Sequence, residues 1–204
     1  MRPKTISVLA ALSLCGCATT PVYPSKPRVA LDTAAGRIVL ALDAKAAPIS
    51  TCNFIGYVVF GDYDNGSFFR TVVRETNANP NPIDVIQAAT PRGSDDDSRP
   101  PIVLERTRDT GLRHVAGAVS MARDGPDSAT SSFFIVTQET PSLDFGGGRN
   151  PDGQGFAVFG RVIEGLEIAR RIQRLPADDQ ELLTPPVVIR SARLLDAAPA
   201  ICTP

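Results

Sequence analysis

Apolar and polar residues alternate along most of this chain, and the period of that alternation changes at definite points. Residues 28–43, "RVALDTAAGRIVLALD", form two alternating runs around a Gly-containing turn, the pattern of a β-hairpin. In "APISTCNFIGYVVFG" (47–61) the spacing becomes helical, with Ile49, Cys52, Ile55, Val58 and Val59 as the apolar set. Pro48 suits the first turn and Gly61 the C-terminal end. "SFFRTVV" (67–73) and "IDVIQAA" (83–89) again read as strands, separated by the polar segment "RETNANPNP" (74–82). Further strands are predicted at "GAVSMA" (117–122), "SSFFIVT" (131–137), "FAVFGRV" (156–162) and "PVVIRSARLLD" (186–196), with an amphipathic helix over "EGLEIARRIQRL" (164–175). Roughly seven or eight strands and two helices, without strand–helix alternation, predict a mainly β fold. Its economical form is a closed or nearly closed antiparallel barrel with helices over its ends.

Composition narrows this picture. The 204 residues are 43% hydrophobic and 21% charged with a net charge of −1, which suits one domain able to bury a substantial core. Near-neutral charge without Lys/Arg runs argues against nucleic acid as a partner. The N-terminus departs from the domain pattern: Arg2 and Lys4 precede the apolar run "TISVLAALSL", too short to span a bilayer and suited to a secretory signal. Leu14-Cys15-Gly16-Cys17 resembles a bacterial lipobox. That resemblance implies that residues 1–16 leave as a signal peptide and that Cys17 becomes a lipidated N-terminus. Residues 17–27 would then be a Thr/Pro-rich tether reaching about 30 Å from the membrane at ~3.1 Å per residue. Ala18 after the lipidated cysteine resembles outer-membrane rather than inner-membrane sorting, placing the domain in the periplasm. Cys52 and Cys202 remain; in an exported chain they form either a disulfide or two buried thiols.

Most familiar chemistries are disfavoured by the residues present. His114 is the only histidine, which excludes a His-based metal cluster, and no G-x-S-x-G occurs; His114 reads as a structural hydrogen-bonding residue. The Gly-rich stretch "GGGRNPDGQG" (146–155) neither opens a helix nor ends in GK[ST], so it reads as a loop rather than a phosphate cradle. "DYDNG" lacks the glutamate of an EF-hand loop. Residues 94–114 read mostly as loop, with Asp95 to Asp97 as a solvated acidic tip. Arg70 and Gln87 remain, each inside an apolar strand, with Val85, Phe134, Leu143 and Phe156 as apolar residues able to surround them. A lone strand arginine is ordinarily a surface residue.

"VALDTAAGRIVLALDAKAAPISTCNFIGYV", "GSFFRTV", "VIQ", "GAVSMARDGPDSATSSFFIVT", "SLD" and "FAVFGRVIEGLEIARRI" occur in the order found in cyclophilins. Over roughly residues 28–196 the chain resembles a cyclophilin-type peptidyl-prolyl isomerase of the bacterial exported sort. The resemblance implies an eight-stranded antiparallel barrel capped by two helices, with residues 197–204 as a tail. Arg70 stands for the family's catalytic arginine and Gln87 for its active-site glutamine. Phe134, Leu143 and Val85 stand for walls of the proline pocket, with Phe156 beside them. Ala122 and Arg123 match the segment whose backbone pairs with the substrate peptide. No cofactor or metal is implied, proline-containing segments of exported proteins are the implied partners, and a monomer is expected.

The chain departs from the family in several places. Phe69 stands where a histidine is usual, and Arg70 and Gln87 lie 17 positions apart, about twice the family spacing, because of the 74–82 insertion. Asp84 aligns with an expected pocket phenylalanine, which leaves one pocket wall either missing or rebuilt; Ser132 aligns with a frequent glutamine, Phe156 with a histidine and Ser142 with the tryptophan of cyclosporin-sensitive members. Retention of Arg70, Gln87, Phe134 and Leu143 favours an active isomerase with altered substrate preference and weak cyclosporin binding. The alternative is a catalytically weak proline-peptide-binding or chaperone lipoprotein that uses the same groove.

Overall fold

The computed structural model describes residues 26–202 except 95 and 97. The signal, Cys17 and most of the tether lie outside the described residues. Eight strands close an antiparallel barrel: β1 (Arg28–Thr33), β2 (Gly36–Leu42), β3 (Gly66–Val72), β4 (Val85–Ala89), β5 (Ala118–Met121), β6 (Phe133–Val136), β7 (Val158–Glu164) and β8 (Leu182–Leu194). Their order around the wall is β1-β2-β7-β5-β6-β4-β3-β8. β8 begins four residues before the predicted strand and closes the wall by pairing with both β1 and β3. Closure leaves no open sheet edge.

Helices α1 (Pro48–Val59) and α3 (Leu166–Gln173) pack against the barrel, as the pattern predicts. A third helix, the single turn α2 (Thr107–Thr110), lies in the stretch read as loop. It is too short to show a helical period; among the described residues it adds a third helix to the two that the pattern predicts. The buried face of α1 is also rotated from the predicted one. Phe54, Ile55, Tyr57 and Val58 are buried with Ser50 and Thr51, whereas Ile49 and Val59 are exposed. The reason is aromatic packing: Phe54 contacts Tyr63, Phe133 and Phe159 at ring-centroid distances of 5.1–5.2 Å. Larger aromatic surfaces outweigh two aliphatic side chains. Ala47 gives α1 no side-chain cap; the Glu105 carboxylate instead accepts from the backbone N–H groups of Ile49 (2.9 Å) and Ser50 (2.8 Å). That contact satisfies two orphan donors and places negative charge at the positive end of the helix.

Residues flanking both margins are tied to the domain. Pro27, read as tether, is buried, and its carbonyl accepts from Leu42 N at 2.9 Å. The C-terminal segment, read as a tail, is tied to α1 by a Cys52–Cys202 disulfide with Cα atoms 4.8 Å apart. The acidic tip is corrected too: Asp96 is buried, accepting from Arg92 (2.9 Å) and Thr90 (2.8 Å). Those hydrogen bonds, outweighing burial, hold its carboxyl far below the ordinary carboxylate range.

The core lies in two layers. Phe68, Ile86, Ala88, Val119, Met121, Phe133, Ile135 and Phe159 belong to the cluster that fills the barrel. A second cluster, which includes Val72, Ile83, Val85, Phe134, Val136, Leu143 and Phe156, lies on the opposite face of the same strands. The cleft belongs to this outer layer.

Candidate active site

The registers of four neighbouring strands set one transverse row: Arg70 pairs with Gln87, Gln87 with Phe134, and Phe134 with Ser120. Three of these positions follow simple alternation. Arg70 does not. In an uninterrupted strand it would share the face of Phe68, two residues earlier and fully buried in the barrel. The register shifts between Phe68 and Arg70, leaving Phe69 as the extra residue of a β-bulge. The bulge reverses the parity of the strand, so Arg70 and Val72 turn outward while Thr71 turns in to reach the Gln173 carbonyl at 2.9 Å. Phe69, which departs from the family's usual histidine, is therefore the residue that lets the chain aim Arg70 at the cleft.

Arg70 is held on two sides. Nη1 donates to Gln87 Oε1 at 3.2 Å, and Nη2 donates to Glu181 Oε2 in a close ion pair. The Gln87 amide is itself oriented: Nε2 donates to Ser132 Oγ at 3.0 Å, and Ser132 donates onward to the Ala88 carbonyl at 3.0 Å. Ser132 thus performs an orienting task at a position where the family often has glutamine. Of the five N–H donors of a guanidinium, these two contacts leave the rest available to a ligand.

A cleft of about 440 Å³ lies in front of the row, lined among others by Ile83, Val85, Phe134, Leu143, Phe156 and Ala122. All eight predicted catalytic and substrate-binding residues line it. Of the two alternatives at Asp84, a missing or a rebuilt wall, the structure shows the rebuilt one. Alternation puts Ile83, Val85 and Gln87 on the cleft side, and Asp84 points the other way. Asp84 is buried, accepting from Arg74 Nε at 2.9 Å, from the Arg74 backbone at 3.1 Å and from Gln173 Nε2 at 3.1 Å. Ile83 supplies the wall on that side of the cleft.

Behind the cleft lies a polar support. The His114 ring stacks on Phe134, centroids 6.0 Å apart and planes 13° from parallel. Its Nδ1 donates to Asp144 Oδ1 at 2.8 Å, and its Nε2 accepts from Ser120 Oγ at 3.1 Å. Burial pushes the imidazole pKa down, opposed by Asp144, so His114 is neutral. Burial alone would raise the Asp144 pKa, but hydrogen bonds from the His114 ring and backbone and from Arg113 hold it below the carboxylate range. This histidine supports an aromatic wall from behind and is not among the residues that line the cleft.

The Gly-rich loop closes the far side of the cleft. A Cβ at Gly155 would stand 2.6 Å from the Asp144 carbonyl carbon and from Phe145 N, and its φ of +68° already favours glycine. Arg123 donates through Nε and Nη2 to the Gly155 carbonyl and through both Nη atoms to Asp152, and its guanidinium lies 5.0 Å from the Phe156 ring centroid. Its side chain therefore fastens this loop, leaving its backbone to the cleft. The 74–82 insertion packs here as well. Asn77 Nδ2 donates to Glu181 Oε1 at 2.6 Å, Asn81 Nδ2 donates to the Gly148 carbonyl at 2.9 Å, and Arg149 donates to Asn77 Oδ1 at 2.9 Å.

Among the residues that escape the sequence reading are Ile83 and Arg149, which line the cleft, and Glu181 and Asn77, which bond to Arg70 and Arg149. Ile83 was available from the alternation leading to Gln87. Glu181 gives no sequence signal, because it reaches Arg70 only through the pairing of Arg70 with Leu182 across β3 and β8. Among the described residues no group of three or more His, Cys, Asp or Glu side chains could hold a metal ion.

Comparison with known proteins agrees with this geometry. The family described as cyclophilin type peptidyl-prolyl cis-trans isomerase/CLD matches residues 28–194. The chain is 37% identical over 198 residues to peptidyl-prolyl cis-trans isomerase A of Dickeya dadantii, covering 94% of each chain. It is 37% identical over 174 residues to a peptidyl-prolyl cis-trans isomerase of Streptomyces antibioticus, covering 82% of this chain and 98% of that one. The solved structure of a cyclophilin-type isomerase of Cryptosporidium parvum superposes with a TM-score of 0.69 at 20% identity, covering 85% of this chain and 99% of that chain, a likeness of fold. With its closed barrel and the family match over that whole barrel, this chain belongs to the cyclophilin-type peptidyl-prolyl cis-trans isomerase family.

Proposed function

We propose that this protein accelerates cis–trans rotation about X–Pro bonds in exported proteins, with Arg70 stabilising the twisted imide while the apolar cleft grips the proline ring. Family membership supports the isomerase activity. The observation that carries the mechanism is the fixed guanidinium of Arg70 at the edge of an apolar cleft.

Amide resonance sets the rotation barrier near ~20 kcal/mol and makes uncatalysed exchange take tens of seconds or more. Rotation breaks conjugation and returns a lone pair to the prolyl nitrogen. A guanidinium N–H directed at that nitrogen binds the twisted form more strongly than either planar form, which is the condition for catalysis. Gln87 and Glu181 hold the guanidinium plane in place, and Gln87 does so without neutralising it. Ile83, Val85, Phe134, Leu143 and Phe156 surround the ring with apolar surface, which favours the less polar, deconjugated carbonyl. A 10⁵-fold acceleration corresponds to about 7 kcal/mol.

The membrane-tethered, periplasmic setting is part of the proposal. It rests on the signal-like N-terminus with Cys17 at its end, and the Cys52–Cys202 disulfide is consistent with an oxidising compartment.

In an exchange assay on a short neutral X–Pro peptide, Arg70→Ala is expected to lose most of the turnover, roughly 10²-fold or more, with an unchanged circular dichroism spectrum. Equal rates for the two proteins would overturn the role of Arg70. Binding of the peptide without any rate above background would instead favour a proline-peptide chaperone that uses the same groove.

A further inference from the structure

The cleft contains a guanidinium that X–Pro rotation does not use. Arg149 lines the same cavity as Arg70, and its two protein acceptors are neutral: Asn77 Oδ1 at 2.9 Å and the Asn81 carbonyl at 3.4 Å, both reached by Nη1. The neighbouring arginines are matched, Arg70 by Glu181, Arg123 by Asp152 and Arg92 by Asp96. Among the described residues no carboxylate forms an ion pair with Arg149, and its Nε–Nη2 edge has no protein acceptor. That edge is the planar fork that fits a carboxylate side-on. Arg149 therefore places a half-buried, unmatched positive charge beside the seat of the proline. Burial, and next the Arg70 charge, push its pKa below the ordinary arginine value, with Glu181 opposing. An anion arriving with the ligand would relieve that cost.

We propose that Arg149 makes this cleft selective for proline peptides that carry a carboxylate next to the proline, either the side chain of an adjacent acidic residue or the free end of the chain. The inference rests on the isomerase-site reading above and adds a substrate class to it. The insertion is part of the device, because Asn77 and Asn81 hold the Arg149 side chain through Nη1.

The test compares dissociation constants, measured by titration, for three matched peptide pairs. These are Glu against Gln directly after the proline, Glu against Gln directly before it, and a chain ending in Pro as the free acid against its amide. At least one anionic member is expected to bind about five- to tenfold more tightly than its neutral partner, and the pair that responds identifies the source of the carboxylate. The ratio should shrink as ionic strength rises from about 50 mM to about 500 mM. In Arg149→Gln, which retains an N–H donor for Asn77, the ratio should fall to near one. Ratios near one for all three pairs in the wild type, or a preference that persists in Arg149→Gln, would overturn the proposal. The isomerase reading fails separately: it fails if the neutral peptide shows no exchange above background, whatever the binding ratios are.

Discussion

At the scale of single residues, Arg70 is defined by its neighbours. A strand arginine is unremarkable until one asks what holds it, and here Gln87 and Glu181 hold it on two edges. Glu181 sits at φ +67°, a left-handed conformation uncommon for a side chain larger than glycine. Its backbone carbonyl accepts from Thr71 N at 2.9 Å, which locks that conformation beside β3. The ion pair is partly exposed, so it adds little to stability. Its consequence is positional. Glu181→Ala is expected to lower kcat on a neutral X–Pro peptide roughly three- to tenfold while KM changes little. Glu181→Gln, which can still accept from Arg70 and Asn77, should recover part of that loss. An unchanged kcat in Glu181→Ala would show that Gln87 alone positions the guanidinium.

At the scale of elements, the cleft is assembled by parity. The bulge at Phe69 turns Arg70 outward, and plain alternation in β4 and β6 brings Gln87 and Phe134 to meet it. The wall is stiffened from behind by the His114–Asp144–Ser120 chain, which joins the segment before β5, the 3-10 turn at Pro141–Leu143 and β5 itself. Removing the imidazole leaves Asp144 and Ser120 without their main partner, so His114→Ala should cost about 2–4 kcal/mol at pH 7. The histidine also sets a pH dependence. Its pKa is lower folded than unfolded, so below about 6.5 the unfolded chain takes up more protons than the native one. Stability from this group is therefore complete above pH 6.5 and declines as pH falls below it. Urea denaturation at pH 7.5 and at about pH 5.5 should show that decline in the wild type and a smaller one in His114→Gln. An equal decline in both proteins would assign it to other groups.

At the scale of the whole molecule, the barrel is closed by β1 and β8, and the chain beyond β8 is fastened back to α1. The Cys52–Cys202 bond spans a separation of 150 residues, almost the entire described domain. In the chain-entropy view a loop of that size contributes about 5 kcal/mol through the unfolded state. Cys202→Ser is expected to lower Tm by roughly 10 °C or more while peptide binding at 25 °C persists, because the bond lies at α1 and not at the cleft. An unchanged Tm would show that the aromatic packing of Phe54 already holds α1 in place.

The linear sequence by itself determined the element types and most of the cleft. Alternation marked the strands, helical spacing marked α1 and α3, and ordered motifs pointed to Arg70, Gln87, Phe134 and Leu143. These features are local, since a side chain two or four residues away decides them. Tertiary structure alone decided the rest. The parity flip at Phe69 depends on how β3 pairs with β4 and β8, and Glu181 meets Arg70 only when β8 closes the barrel. Whether the wall at Asp84 is missing or rebuilt was likewise settled by which way Ile83 and Asp84 point: Ile83 packs in the outer cluster and Asp84 turns to Arg74. α1 turned its aromatic face inward because Tyr63, Phe133 and Phe159 were waiting there, partners separated from it by up to a hundred residues of chain. Contacts between residues far apart in sequence leave no periodic trace, so only the closed barrel reveals what surrounds its arginine.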